Sequence, residues 1–362
     1  MVSYMPAESA VADKISGYEQ LTKRRIMILL FMFALLVIVA ILSMGIGSYR
    51  LDSITILKTL CGKIDDGIVH HLVWNIRLPR TVGAILAGTG LAVSGVIMQN
   101  LLKNPLASPS TLGVSQGAAF GAAFAIIIFG AGQTHAVGNE AVTLTSRTTV
   151  VLSAFSGSLI TVVAIFGLTT IKRISAESMI LAGVAMSAFL SACTMLLQYF
   201  ASDIQVASTV FWTFGDLGKS GWQENRVIAL TLAPTFLYFM IKSWSYNALQ
   251  WGDEVAKSLG IRIDRLRMAG LLATCLIVSV TTAFLGIISF IGLLAPHFMR
   301  MVVGNDQRFL IPAAALAGGV LLLCSDIFSR TVMAPVILPV GVITSFSGAP
   351  LFLYLLLTRK QQ

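Results

Sequence analysis

Residues 268–299, MAGLLATCLIVSVTTAFLGIISFIGLLAPHFM, contain no Asp, Glu, Lys or Arg in 32 positions. As one helix rising 1.5 Å per residue the stretch would be about 48 Å long, well beyond a hydrocarbon core of roughly 30 Å. Gly286, Gly292 and Pro296 offer break points. The stretch therefore predicts two membrane crossings joined by a tight turn, whose freed backbone groups must be met by protein.

Working outward, runs without a charged residue recur at 26–49, 81–102, 148–171, 178–202 and 331–358. Over the 362 residues, 56% are hydrophobic and 11% charged, with mean hydropathy +0.85, whereas a soluble domain carries about 25% charged residues. The pattern predicts an all-α membrane protein, a polytopic bundle of about ten transmembrane helices near 26–47, 80–102, 111–131, 148–171, 178–200, 224–243, 265–286, 288–304, 308–328 and 338–358. Small residues such as Gly83, Gly88, Gly90, Gly95 and Ala313 to Ala315 point to closely approaching helices, because lipid supplies no hydrophobic force between them. Residues 52–63 are amphipathic and too short to span, and predict a helix lying on the outer surface. No internal repeat is visible.

Domain organisation follows: residues 1–25 form a polar segment with no cleavable signal ahead of the first span, 26–358 the membrane domain, and 359–362 a tail. Arg50, Lys58, Lys63, Arg77, Arg80, Arg147, Lys219, Arg226 and Arg330 fall in predicted outer regions, and the other sixteen of the 25 Lys and Arg in inner ones. That asymmetry places both termini in the cytoplasm. The net charge of +9 is spread as short clusters between apolar spans, without a basic face interleaved with aromatics, which argues against nucleic acid and for membrane lipid as the neighbour. Nine outer cations still require a reason.

Chemistry is sparse. His70, His71, His135 and His297 lack metal-ligand spacing, and the four cysteines, Cys61, Cys193, Cys275 and Cys324, form no pairing framework and read as small buried apolar groups. No cofactor or metal site is expected. The run GDLGKS at 215–220 imitates a phosphate loop, but two residues separate its glycines, Thr213 stands where the first glycine belongs, and the run falls in an outer loop. Its shortened backbone does not cradle a triphosphate, so the chain is expected not to hydrolyse ATP. Ion-coupled carriers need ionisable groups inside the membrane. Asp326 is the nearest candidate and reads as a helix-end cap near water. An ion-gradient carrier and a non-transporting scaffold for an outer protein are the readings from other classes.

The longest inner loop, about 244–264, holds GDEVAKSLG at 252–260. Acids early, Lys257 late and Gly260 at the end predict a short helix matched to its dipole. The spacing leaves open whether it is a solvated connector or a docking element.

RLPR (77–80), GVIMQ (95–99), NPLASP (104–109), LGVS (112–115), GDEVAKSLG (252–260), ISFIGL (288–293), PHFMR (296–300), DIFSR (326–330) and LPVG (338–341), in this order, resemble the FecCD-type permeases, over essentially residues 26–358. These are membrane subunits of ABC importers for ferric siderophores, haem and cobalamin. The resemblance implies a type II ABC importer permease architecture in the cytoplasmic membrane of a prokaryote. It implies two permease subunits side by side, alike or paralogous, with two cytoplasmic ATPase subunits below and an extracytoplasmic substrate-binding protein above.

By the same resemblance Arg77, Arg80 and Arg330 match positions that meet acidic side chains of the binding protein, a task suited to the planar guanidinium fork. Gly252, Asp253, Glu254, Val255, Ala256, Lys257, Ser258, Leu259 and Gly260 become the coupling helix seated in the ATPase. Asn104 and Leu106 match one inner gate, and Ala176 and Glu177 the second. Met195, Gln198, Thr344 and Ser347 fall on helices expected to line the pathway. Three positions depart from the pattern: Ile287 stands where proline is common, Ile337 where glutamate is common, and Glu177 puts a carboxylate at a gate position uncharged in the cobalamin importer. An iron(III) siderophore or related chelate is the expected cargo, with haem or cobalamin as the alternative.

Overall fold

The computed structural model describes the backbone of residues 7–47, 51–63, 66–131, 146–172 and 176–358, and their side chains except at 7–16, 169–177, 355–356 and 358. In chain order come α1 (Ala7–Gly45), α2 (Ser53–Leu60) and α3 (Gly67–His71), a π-helical stretch Leu72–Arg77, and α4 (Leu78–Leu101). A 3₁₀ turn Pro109–Leu112 leads into α5 (Val114–Ile127), α6 (Arg147–Lys172), α7 (Ala176–Tyr199) and α8 (Asp203–Thr213). After a second 3₁₀ turn, Leu217–Lys219, follow α9 (Trp222–Ile241), α10 (Ser243–Gln250), α11 (Asp253–Ser258), α12 (Ile263–Leu285), α13 (Ile291–Val303), α14 (Gln307–Thr331) and α15 (Val340–Thr358).

Six helices among the described residues are long and apolar enough to cross a membrane. The α9–α10 pair, bent by 57°, supplies a further span, and Val114–Ile127, Ile291–Val303 and Val340–Tyr354 are shorter apolar helices. Each overlaps one of the stretches expected from the sequence, although the second begins at Gly67 and not near 80. The amphipathic surface helix is α2, with Ile56 and Thr59 buried and Ile54 and Leu57 exposed. Of the cysteines, Cys275 is buried, whereas Cys61 and Cys324 are exposed and Cys193 is half-buried; a purely buried role is thereby corrected for three of them, since an apolar surface is equally compatible with lipid.

The centre of the bundle is α4. Within the Gly67–Leu101 span, 78% of the most apolar window is buried, against 22% for α1 and 11% for α7. Its glycines make this possible. A Cβ on Gly95 would strike the Gly292 carbonyl of α13, and one on Gly88 the Gly318 carbonyl of α14. Such backbone approach replaces the hydrophobic drive that lipid does not provide.

The break expected in 268–299 falls at Gly286, whose φ of +80° ends α12, while Phe290 at φ +66° precedes α13. Gly292 and Pro296 lie inside α13. Three chain segments satisfy the irregular backbone: Ile287 N–H donates to Thr213 O (3.2 Å), Asp216 N–H to Leu285 O (2.8 Å), and Gly341 N–H to Gly215 O (3.0 Å). Non-helical backbone at a membrane-spanning bundle persists only where protein pairs it in this way. The departure at Ile287 acquires a physical meaning here, because a proline would lack the N–H that bonds Thr213.

Candidate functional site

Helices α1, α4 and α14 run the length of the bundle and define two ends. At the first, the end of α1 meets the start of α4 and the end of α14. Arg77 is buried and donates to the carbonyls of Met44 and Gly45. Arg80, one turn further along α4, donates Nε to Asp326 Oδ1 at 2.9 Å, with Nη2 2.8 Å from the same oxygen. Arg330 Nη2 lies 2.9 Å from Asp326 Oδ2, and its guanidinium also donates to Ile46 O (2.6 Å) and Ser43 Oγ (2.8 Å). The side chains of Arg80, Asp326 and Arg330 are 13%, 0% and 9% exposed.

The expectation for Asp326 is therefore corrected: it is no helix-end cap near water but a fully buried carboxylate between two guanidiniums. Isolated, it would be expelled or neutralised; paired on both sides, it holds α14 to α4. Ile337, exposed where a glutamate would have added charge, lines with Arg77, Arg80, Arg330 and Asp52 a cavity of about 780 Å³.

The phosphate-loop imitation sits nearby and is occupied by structural bonds. Asp216 accepts from Gly218 N–H (2.7 Å), and Lys219 Nζ donates to Trp212 O and Phe214 O at 3.2 and 3.1 Å, capping the end of α8. Burial pushes the Lys219 ammonium down to about 8, with Arg147 adding to the effect and Asp216 opposing it. His70 stacks on Trp74, and Asn75 bonds His71; no group of three metal-ligating side chains occurs among the described residues.

At the opposite end, α10 and α11 form a compact unit. Gly252 at φ +117° opens α11 and Gly260 at φ +78° closes it, with Asp253 and Glu254 in the first turn and Lys257 in the last, as the sequence predicts. Ala256 is fully buried and anchors the helix, whereas Trp251, Val255 and Leu259 are 79%, 44% and 66% exposed. Asp253 receives Lys103 Nζ and Arg267 Nη2, each at 3.0 Å. Burial raises its pKa less than these two cations lower it, and the net shift is downward. Asn247 of α10 bonds Asp306 (2.8 Å), which also receives Arg308. For Asp306, too, burial is outweighed by Arg308 and Asn247 and the pKa is lowered.

Among the gate candidates, Asn104 accepts the Leu106 N–H at 2.8 Å, and Leu106 is exposed. The backbone of Ala176 and Glu177 starts α7; their side chains lie outside the described residues. On the pathway candidates, Met195 and Ser347 are exposed, Gln198 is half-buried, and Thr344 is buried and donates to Gly341 O. Residues around the α12–α13 break, Ile287 and Ser289, face Val342, Phe346 and Pro350 of α15 across an open, largely apolar cavity of about 600 Å³. Sequence reasoning found α11 but missed α8 and α10; the bend at Lys242 carries no proline or glycine to announce it.

Residues 35–358 match the FecCD transport family. The chain is 48% identical to "Putative ABC transporter permease protein MJ0087" of Methanocaldococcus jannaschii, over 94% of this chain and 97% of that one. It is 36% identical to the "Hemin transport system permease protein HmuU" of Yersinia pestis, over 92% and 96%. The solved structure described as "An inward-facing conformation of a putative metal-chelate type ABC transporter" superposes with a TM-score of 0.77 at 30% identity, covering 92% of this chain and 100% of that one. The ordered motifs, the broken α12–α13 span and the glycine-packed α4 thus sit in a known architecture: the chain belongs to the FecCD transport family, as a multi-pass permease of the ATP-binding cassette importers.

Proposed function

We propose that this chain is the gated membrane pathway for an iron(III) siderophore or a related metal chelate, moved by separate ATPase subunits and fed by a binding protein. The observation that carries the reading is α11. An exposed apolar set, Trp251, Val255 and Leu259, surrounds a short helix rooted by the buried Ala256, and an exposed apolar patch at a domain end is the signature of a protein partner. Residues 252–260 are the seat of the ATPase on the cytoplasmic side, where both termini lie. The loop whose sequence imitates a phosphate loop is not turned to ATP in this reading, because its Lys219 is spent on the Trp212 and Phe214 carbonyls at the end of α8.

At the far end, Arg77, Arg80 and Arg330 line a cavity of about 780 Å³ that suits the acidic side chains of an extracytoplasmic binding protein. Asn104, Leu106, Ala176 and Glu177 gate the inner end. Met195, Gln198, Thr344 and Ser347 mark the helices beside the pathway, which a second permease subunit completes against the exposed faces of α7 and α15. A wall this apolar and weakly polar binds cargo loosely, as passage requires. Haem is the second reading of the cargo, favoured by the 36% identity to a relative named for hemin transport. An ion-gradient carrier is disfavoured, since the buried Asp326 of α14 is held between two arginines.

The test is uptake by proteoliposomes containing the permease, its ATPase and its binding protein. Accumulation of a ferric chelate with ATP present and all gradients collapsed by ionophores is expected. Uptake that vanishes with the gradients and persists without ATP would overturn the proposal.

A further inference from the structure

The ATPase-facing unit has to move something, and one set of its contacts runs into the end of α4. The cytoplasmic end of α4 continues into the 102–106 turn without a hinge: Leu102 N–H bonds Met98 O (2.9 Å), Lys103 N–H bonds Asn100 O (3.3 Å), and Asn104 N–H reaches back to Gln99 O (3.2 Å). Lys103 takes φ +48° to close this turn, and Asn104 then fixes Leu106 through its side chain. The turn and the end of α4 are therefore one rigid piece.

That piece is tied to the neighbouring unit at two points. Asn100 Nδ2 donates to Tyr246 O of α10 at 3.2 Å within the buried core. Lys103 Nζ reaches Asp253 Oδ1 of α11 at 3.0 Å, across 150 residues of sequence. Arg267 of α12 holds the same carboxylate from the other side, with Nη2 3.0 Å from both oxygens. Asp253 is thus presented to Lys103 in a fixed orientation. On a bare surface such a pair contributes little, because water screens it. Lys103 and Asp253 are 47% and 36% exposed, beside the apolar set that a partner would cover. Under a seated ATPase the pair would lose that water and strengthen.

Resting on the ATPase seat proposed above, we infer that the Lys103–Asp253 ion pair is the strut that transmits α11 movement into the end of α4 and the Asn104–Leu106 turn. Lys103 is a positioning residue: it touches neither ATP nor cargo, and acts by making the turn follow the coupling helix. Because α4 is the most enclosed helix of the bundle, displacement at its end is passed to α12, α13 and α14 packed around it.

The experiment uses the complete importer in proteoliposomes and reads radio-iron-labelled ferric siderophore accumulated per ATP hydrolysed. Lys103→Met should lower this ratio by at least about fivefold, the low end of ordinary coupling between sites, while the ATPase copurifies as before; Lys103→Arg should retain the ratio. In a second protein, Lys103→Cys with Asp253→Cys, the ratio should be low until a short bis-maleimide bridges the thiols and then recover, because a strut moves as one body. An unchanged ratio in Lys103→Met, a bridged pair that stays uncoupled, or a bridge that stops transport would each overturn the strut. Failure of the ATPase to copurify with the unsubstituted chain would instead remove the seat itself, and the strut with it.

Discussion

Replacing Asp326 by Asn should destabilise the bundle without leaving a cavity. Asp326 is fully buried, and its two oxygens face Arg80 at 2.8–2.9 Å and Arg330 at 2.9 Å. The amide keeps the shape and removes the charge, so two guanidiniums that are 13% and 9% exposed lose their counter-ion. Breaking a buried pair by removing one partner costs about 3–5 kcal/mol. Arg80 keeps a distant contact with Asp216 at 3.8 Å, and Arg330 keeps the Ile46 and Ser43 oxygens, which places the loss at the low end. A loss of about 3 kcal/mol is a factor of roughly one hundred in the folding equilibrium. Reversible unfolding in mixed micelles measures it. The companion variant Asp326→Leu, Arg80→Met, Arg330→Met removes all three charges, and apolar replacement of a buried ionic set is commonly near neutral. It should be more stable than Asp326→Asn alone. An Asn variant as stable as the parent, or a triple variant worse than the single one, would refute the argument that unpaired buried charge is the cause.

Two further outcomes concern the packing of α4 and the loop after α8. Gly95→Leu drives a side chain into the Gly292 carbonyl and should separate α4 from α13. Size-exclusion chromatography should show a reduced folded fraction, and even the single methyl of Gly95→Ala should lower it; an unchanged fraction in Gly95→Leu would contradict the close approach. Lys219 titrates at about 8 in the fold against an ordinary 10.5. The unfolded chain therefore binds more protons between those values, and stability from this group rises as pH climbs from about 8 toward 10.5. Melting curves across that range should show the rise in the parent and lose it in Lys219→Met; an identical pH slope in both would refute the assignment.

The spans were legible because membrane length and the absence of charge are local properties of sequence. The break at Gly286 was legible for the same reason, since 32 uncharged residues exceed one crossing. The α11 helix could be read from its glycines and the order of its charges. Asp326 could not: its partner Arg80 is 246 residues away, and nothing in the periodicity of α14 says which helix will lie against it. The Lys103–Asp253 contact was hidden likewise, because it depends on how the α10–α11 unit folds back on α4. The bend between α9 and α10 has no proline or glycine to mark it. The backbone bond from Ile287 to Thr213 gives the departure from proline at this position a local use, and it is visible only in three dimensions.

Whether this bundle is a gate moved from outside itself through residues 252–260 is decided by uptake in vesicles carrying Val255→Asp with Leu259→Asp. Both side chains are exposed, so the fold should survive and its melting curve should match the parent. The ATPase should then no longer copurify, and chelate uptake should fall to the level seen without ATP. Uptake continuing at the parent rate would show that the bundle is not driven from that helix.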